Sequence, residues 1–246
     1  MSLETDVANL VTQTTKLLDY FGNKKAAIDS AVAAAIAAIP EGRKIFYVNQ
    51  LTGDDNADGQ AARPLKTIDK AIANTPFGGL CIVRLQTDYR MALNISVDAR
   101  VLSIFSDTTG VKRKIIPAYY MIADGTAHYL SGIVQSNGAQ VLLSDITVDL
   151  PSPAGLNPAP VGFVNAFFKS TSNGGAVILA AKLSACEFTS PPDGTAYLVG
   201  APNSAVVLEV LGTSFPASFG GRYISGIAAG SLPKDIPNIM TNLTVL

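Results

Sequence analysis

Tyr47-Val48-Asn49-Gln50-Leu51-Thr52-Gly53-Asp54-Asp55-Asn56-Ala57-Asp58-Gly59 is the stretch on which the reading of the fold turns. The β-branched and aromatic run Lys44-Ile45-Phe46-Tyr47-Val48-Asn49 leads into it and reads as a strand. The Asp, Asn and Gly residues that follow interrupt the strand and favour a tight loop. Beyond Arg63-Pro64-Leu65-Lys66-Thr67, the segment Ile68-Asp69-Lys70-Ala71-Ile72 places Ile68, Ala71 and Ile72 on one helical face, with Asp69 and Lys70 outward. Pro76-Phe77-Gly78-Gly79 then ends the helix and returns the chain to an apolar run beginning at Leu80.

From Leu80 onward, short apolar runs alternate with Gly, Pro, Asn and Asp, and no helix-period segment intervenes. Three segments resemble one another: Asn137-Gly-Ala-Gln-Val-Leu-Leu, Asn173-Gly-Gly-Ala-Val-Ile-Leu and Asn203-Ser-Ala-Val-Val-Leu-Glu. Each is a small polar turn followed by an apolar strand. Their separation falls in the roughly 20–50-residue range of stacked repeats. A unit of three short strands cannot bury its apolar side alone, so stacking must supply the core. A β-sandwich with similar hairpins is the alternative.

Upstream, residues 3 to 39 contain no Pro and one Gly. Leu3, Val7, Leu10, Thr14, Leu17, Phe21 and Ile28 follow a heptad seam, and Val32 and Ile36 continue a second stripe through Phe21 and Ile28. The register therefore shifts near Gly22. At ~1.5 Å per residue the helix would be about 55 Å long. The narrow seam favours self-association, and folding back onto the rest of the chain is the alternative. Pro40 ends the helix.

The segment from Tyr47 through Asp54-Asp-Asn-Ala-Asp-Gly59, Arg63-Pro-Leu-Lys-Thr-Ile-Asp-Lys-Ala-Ile72 and Pro76-Phe-Gly-Gly79 resembles the opening of right-handed β-helix proteins of the pectate-lyase-like class. With a coiled coil directly upstream, the chain looks like bacteriophage tail fibre and tailspike proteins. The resemblance covers about residues 1 to 110. It implies a mainly β fold: a right-handed parallel β-helix preceded by an α-helical coiled-coil stalk. The expected division is a stalk over 1–40, an opening strand, loop and capping helix over 41–79, and a β-helix body over 80–246. It further implies a homotrimeric structural protein of the virion tail, assembled in the host cytoplasm. Its expected partners are other tail or baseplate proteins and host surface polysaccharide. Since the same opening serves lyases, hydrolases and inert fibres, a polysaccharide depolymerase, glycoside hydrolase or lyase, is the alternative function.

Composition narrows the rest. Of 246 residues 15% are charged and 48% hydrophobic, and the net charge is −1. A charged fraction below the usual ~25% suggests that part of the surface is covered by other subunits. Near-zero net charge offers no field to gather nucleic acid or an anionic membrane. The run Ala31 to Ile39 is too short to span a bilayer, and Glu4 and Asp6 do not fit a secretory signal. Cys81 and Cys186 lie in apolar stretches and read as buried thiols.

No catalytic constellation is evident, so the expectation is a chain that is not an enzyme and needs no cofactor. Asp54, Asn56 and Asp58 match the first half of a calcium loop, with Gly59 at position 6, but Leu65 stands where the bidentate acid belongs. They form a tight turn or a weak calcium site. Asp145 and Asp149, read as one strand face, would be about 13 Å apart at ~3.3 Å per residue. That exceeds the ~9.5 Å limit of an inverting carboxylate pair. Glu187 and Glu209 fall at different repeat positions, and Lys182 and Arg222 look isolated. The lone histidine, His128, has no nucleophile motif beside it. The loop Leu150 to Pro160 reads as a stiff excursion, and the tail Thr241 to Leu246 as a strand that could pair with another subunit.

Overall fold

A computed structural model describes residues 2–38, 42–170, 178–202 and 204–246, with backbone only for 36–38. The repeat asparagines Asn173 and Asn203, the turn Gly174-Gly175 and the helix stop Pro40 lie outside the described residues, as does the Ile36 side chain. The chain forms two compact units, Met1–Glu41 and Gly42–Leu246.

The first unit is a single helix, α1 (Leu3–Ala38), of 36 residues. Glu4 and Asp6 in its first turn complement the positive end of its dipole. Thr12, Thr14 and Thr15 turn their hydroxyls onto the carbonyls of Ala8, Leu10 and Val11 at 2.9, 2.9 and 3.0 Å. Thr14 therefore satisfies its own polar atom on the helix and leaves its methyl for the seam. The helix runs through Gly22 without interruption, and nothing lies within 4 Å of a Cβ built there.

The second unit opens with β1 (Arg43–Val48), the loop, α2 (Ile68–Ala73) and β2 (Leu80–Leu85). Thr67 caps α2 by accepting from the Lys70 N–H at 3.1 Å, and Ile68, Ala71 and Ile72 are buried as their spacing implies. Next come β3 (Tyr89–Met91), β4 (Ile95–Asp98), β5 (Val101–Ser106) and β6 (Arg113–Pro117). A hairpin, β7 (Tyr119–Met121) with β8 (His128–Leu130), interrupts the series. It resumes with β9 (Ile133–Ser136), β10 (Gln140–Ser144), β11 (Ile146–Asp149), β12 (Ala166–Ser170) and β13 (Ile178–Ser184). It finishes with β14 (Glu187–Thr189), β15 (Tyr197–Gly200), β16 (Ala205–Leu211) and β17 (Ile239–Thr241).

Successive strands are dealt in turn to three parallel sheets. The first has the order β1-β2-β5-β10-β13-β16-β17, the second β14-β11-β6-β3 and the third β15-β12-β9-β4. In-register pairing aligns alternate residues into inward columns. Val83, Ile104, Leu143 and Leu183 form one such column, all fully buried. Tyr89, Ile115, Val148 and Phe188 form another from the second sheet, and Ile95, Ile133, Phe168 and Val199 a third. Each such side chain contributes about 1.5–3 kcal/mol by leaving water.

The corners stack as well. Asp145, Ala185 and Gly212 all have positive φ, at 57°, 52° and 52°. Asp145 N–H donates to the Ser184 carbonyl at 3.0 Å, and Ala185 N–H to the Leu211 carbonyl at 2.8 Å. Each corner is thus held by the next one in the stack. Asp145 is a corner residue, so it does not share a strand face with Asp149, contrary to the sequence reading.

The expected class also needs correcting. The sequence pointed to a mainly β, right-handed pectate-lyase-like β-helix; the structure is an α/β chain with one long N-terminal helix and parallel sheets. The repeats specify which strands become neighbours, and that pairing does not define a right-handed β-helix. The tail differs too: β17 pairs with β16, and Leu246 is buried, its N–H donating to the Ser231 carbonyl at 3.0 Å. An apolar end is folded onto its own chain here.

Candidate functional site

The described seam residues of α1 are exposed. Leu3 is 81% exposed, Leu10 67%, Phe21 59% and Ile28 61%, and Val7, Leu17 and Val32 are over half exposed. Thr14 is exposed with them. Isolated exposed apolar residues are ordinary, but a continuous stripe along a long helix marks an interaction surface.

The loop between β1 and α2 uses its acids on its own backbone. Asp54 Oδ1 accepts from the Asn56 N–H at 2.9 Å and from Asn56 Nδ2 at 3.1 Å. Asp58 accepts from the Gln60 N–H at 3.1 Å and pairs with Arg63 at 3.3 Å. Among the described residues no group of three or more His, Cys, Asp or Glu is arranged to hold a metal. The residue that matters most was not singled out by the calcium-loop pattern: Asp55 accepts from Lys66 N–H, Thr67 N–H and Thr67 Oγ1, each at 2.9 Å. It fixes the start of α2 from twelve residues upstream of the Thr67 cap, a separation that no local sequence pattern reports.

The register of the second sheet brings together two acids that sequence reasoning kept apart. Thr147 of β11 pairs with Glu187 of β14, and Asp149 with Thr189. All four alternate with the inward Val148 and Phe188, so they share the outer face. Thr189 Oγ1 donates to Asp149 at 2.6 Å, and Thr147 Oγ1 to Glu187 at 3.4 Å. Strands ~4.8 Å apart with a two-residue offset put the two acidic Cα atoms about 8 Å apart. An inverting glycosidase holds its two carboxyl groups roughly 6.5–9.5 Å apart, a range that the side chains rather than the Cα atoms must meet. On the other side of β11, Lys114 pairs with Thr147 and adds a cation to the same face.

The remaining candidates are tied into the body. Lys182 pairs with Glu209 at 3.0 Å. Arg222 donates to Ser190 Oγ at 3.1 Å and the Gly194 carbonyl at 2.6 Å, and lies 4.6 Å from the Phe219 ring centroid. His128 Nδ1 is 2.8 Å from the Pro158 carbonyl oxygen, and Ser152 hydrogen-bonds Asp193. These contacts tie the Pro-rich loop to the body. Cys81 and Cys186 are buried and free, and burial raises both thiols. Beside β17 an apolar groove of about 730 Å³ is lined by Val207, Leu232, Pro233, Met240 and Leu243, with Glu209 and Lys234 as its charged members. Among the described residues no helix is long and apolar enough to cross a membrane.

No family model matches the chain, and no curated protein does. Two solved structures of the GH136 lacto-N-biosidase from Eubacterium ramulus are similar to it. The native form has a TM-score of 0.42 and 16% identity over 70% of this chain and 31% of that one. The selenomethionine derivative has the same score and identity over 73% and 31%. The chain thus spans about a third of that protein's length. These likenesses stand where the sequence pointed to the pectate-lyase class, and against them the expectation of a non-enzyme is withdrawn. At this identity and TM-score they carry no residue roles or substrate across.

Proposed function

We propose that the chain is a self-associating structural protein of a virion: a homotrimeric bacteriophage tail fibre or tailspike that attaches to host surface polysaccharide in company with other tail or baseplate proteins. The observation that carries this reading is the exposed apolar stripe of α1, which runs from Leu3 to Phe21 and, past the register shift near Gly22, continues through Ile28 and Val32. Such a stripe is covered when helices supercoil about one another. The parallel-sheet body supplies a rigid, repetitive outer surface suited to a long polymer. Sedimentation equilibrium of the full chain tests it: a species of three times 25.6 kDa is expected, and a monomer would refute it.

A second reading, a polysaccharide depolymerase on the same body, is favoured by the Asp149–Glu187 diagonal. In that role one carboxyl protonates the leaving oxygen while the other activates a water across the ring. Release of reducing ends from bacterial envelope glycans, abolished in Glu187→Gln, supports it. Equal release by wild type and variant would remove it.

A further inference from the structure

Lys169 of β12 is next to the inward Phe168, pairs with Val134 of β9 and is 4% exposed, covered where it meets Asn94 and Leu130. Among the described residues no acid pairs with its ammonium group, and burial lowers its pKa to about 7. Nζ instead donates to Asn94 Oδ1 at 2.7 Å and to the Leu130 carbonyl. The Asn94 amide is held on both sides. Its Oδ1 also accepts from the Gly132 N–H at 3.0 Å, and its Nδ2 donates to the Tyr120 hydroxyl at 2.9 Å. Gly132 is required there, because a Cβ would come within 2.2 Å of the Phe167 carbonyl oxygen.

These are the parts of an acyl transfer. A buried amine whose pKa is lowered toward neutrality has a free-base fraction that can act as a nucleophile. A backbone N–H on the amide oxygen stabilises the charge that develops there. The Tyr120 hydroxyl, which accepts from Nδ2 in the resting amide, can turn its own proton onto that nitrogen once attack has made it tetrahedral. We propose that Lys169 and Asn94 form an intramolecular isopeptide bond, a covalent clamp inside the body that goes beyond the fibre reading.

The step balances without an oxidant. Rotation about the last bonds of the Lys169 side chain turns the Nζ lone pair from its place beside Oδ1 onto Cγ. The Nζ–Cγ bond forms and the Cγ–Nδ2 bond breaks. Nδ2 departs as ammonia with its own two hydrogens and one more, delivered by Tyr120 and restored to it from Nζ. Burial, and to a smaller extent Tyr129, raise the Tyr120 pKa, which keeps that hydroxyl protonated as a donor. The bond joins the segment before β4 to β12 across β9, so it would staple three stacked strands. A cross-link over so long a loop restricts the unfolded chain strongly.

The test is mass spectrometry of the denatured full chain and of its tryptic digest. The expected result is a mass short by one ammonia, with Met91–Arg100 joined to an Ile115–Lys182 peptide left uncut after Lys169. Lys169→Met and Asn94→Ala should each restore the sequence mass. Recovery of free Met91–Arg100 from wild type, with cleavage after Lys169, would overturn the proposal. So would an ammonia deficit located at Asn137-Gly138, where succinimide formation gives the same loss.

Discussion

Asp149 and Glu187 lie diagonally across the parallel pair β11 and β14, each accepting a hydrogen bond from the threonine opposite it. The crossing places two carboxylates on one outer face without any contact between them. If the face cleaves glycans, Asp149→Asn and Glu187→Gln should each lower reducing-end release by about 10²-fold or more. Thr189→Val should change it far less, since Thr189 only orients Asp149. Assays on one envelope polysaccharide with all three variants check this.

Asp55 is the anchor of the capping helix. Asp55→Ala leaves the Lys66 and Thr67 N–H groups and the Thr67 hydroxyl without their acceptor. A loss of about 1–3 kcal/mol in body stability is expected. Asp54→Ala, which removes one local turn bond set, should cost less than half of that. Urea unfolding followed by tyrosine fluorescence measures both.

The inward columns carry the body. Leu143→Ala opens a cavity between Ile104 and Leu183 and should cost about 2–5 kcal/mol. Its neighbour Leu142 points outward and is half-buried, so Leu142→Ala should cost under about 1 kcal/mol. The midpoints of urea curves with unchanged slope give the comparison.

The Lys169 amine sets a pH dependence whose sign follows from its lowered pKa, about 7 in the folded chain against 10.5. Cross-link formation needs the neutral amine. Protein refolded at pH 5 should link slowly, and the rate should rise through pH 7 and level off above it. In chain not yet linked, the folded state binds fewer protons than the unfolded between about 7 and 10.5. Its stability should therefore rise with pH across that window and be flat, from this group, below it. Timed gel and mass measurements at pH 5, 7 and 9 follow the first effect.

Much of the framework was legible in the sequence. The strand ending at Val48, the Asp-rich loop, the buried face of α2 and the long N-terminal helix all follow from local periodicity and turn chemistry. The fold class was misjudged, because recurring apolar runs specify that strands stack but leave the path between sheets undetermined. Asp145 was misplaced because its left-handed corner, with φ at 57°, lies within a run that reads as one strand from Val141 to Val148. The Asp149–Glu187 diagonal was missed for the same reason: a one-residue error at that corner changes which faces and rows coincide. The Lys169–Asn94 contact joins residues separated by 75 positions, and no local pattern reports it.

The proposed self-association of α1 is tested most directly by the full chain in an analytical ultracentrifuge. Wild type should sediment as three copies of 25.6 kDa, and Leu10→Asp with Leu17→Asp, which puts charge on two seam positions, should sediment as one. Wild type sedimenting as a monomer, or the double variant retaining the wild-type mass, would contradict it.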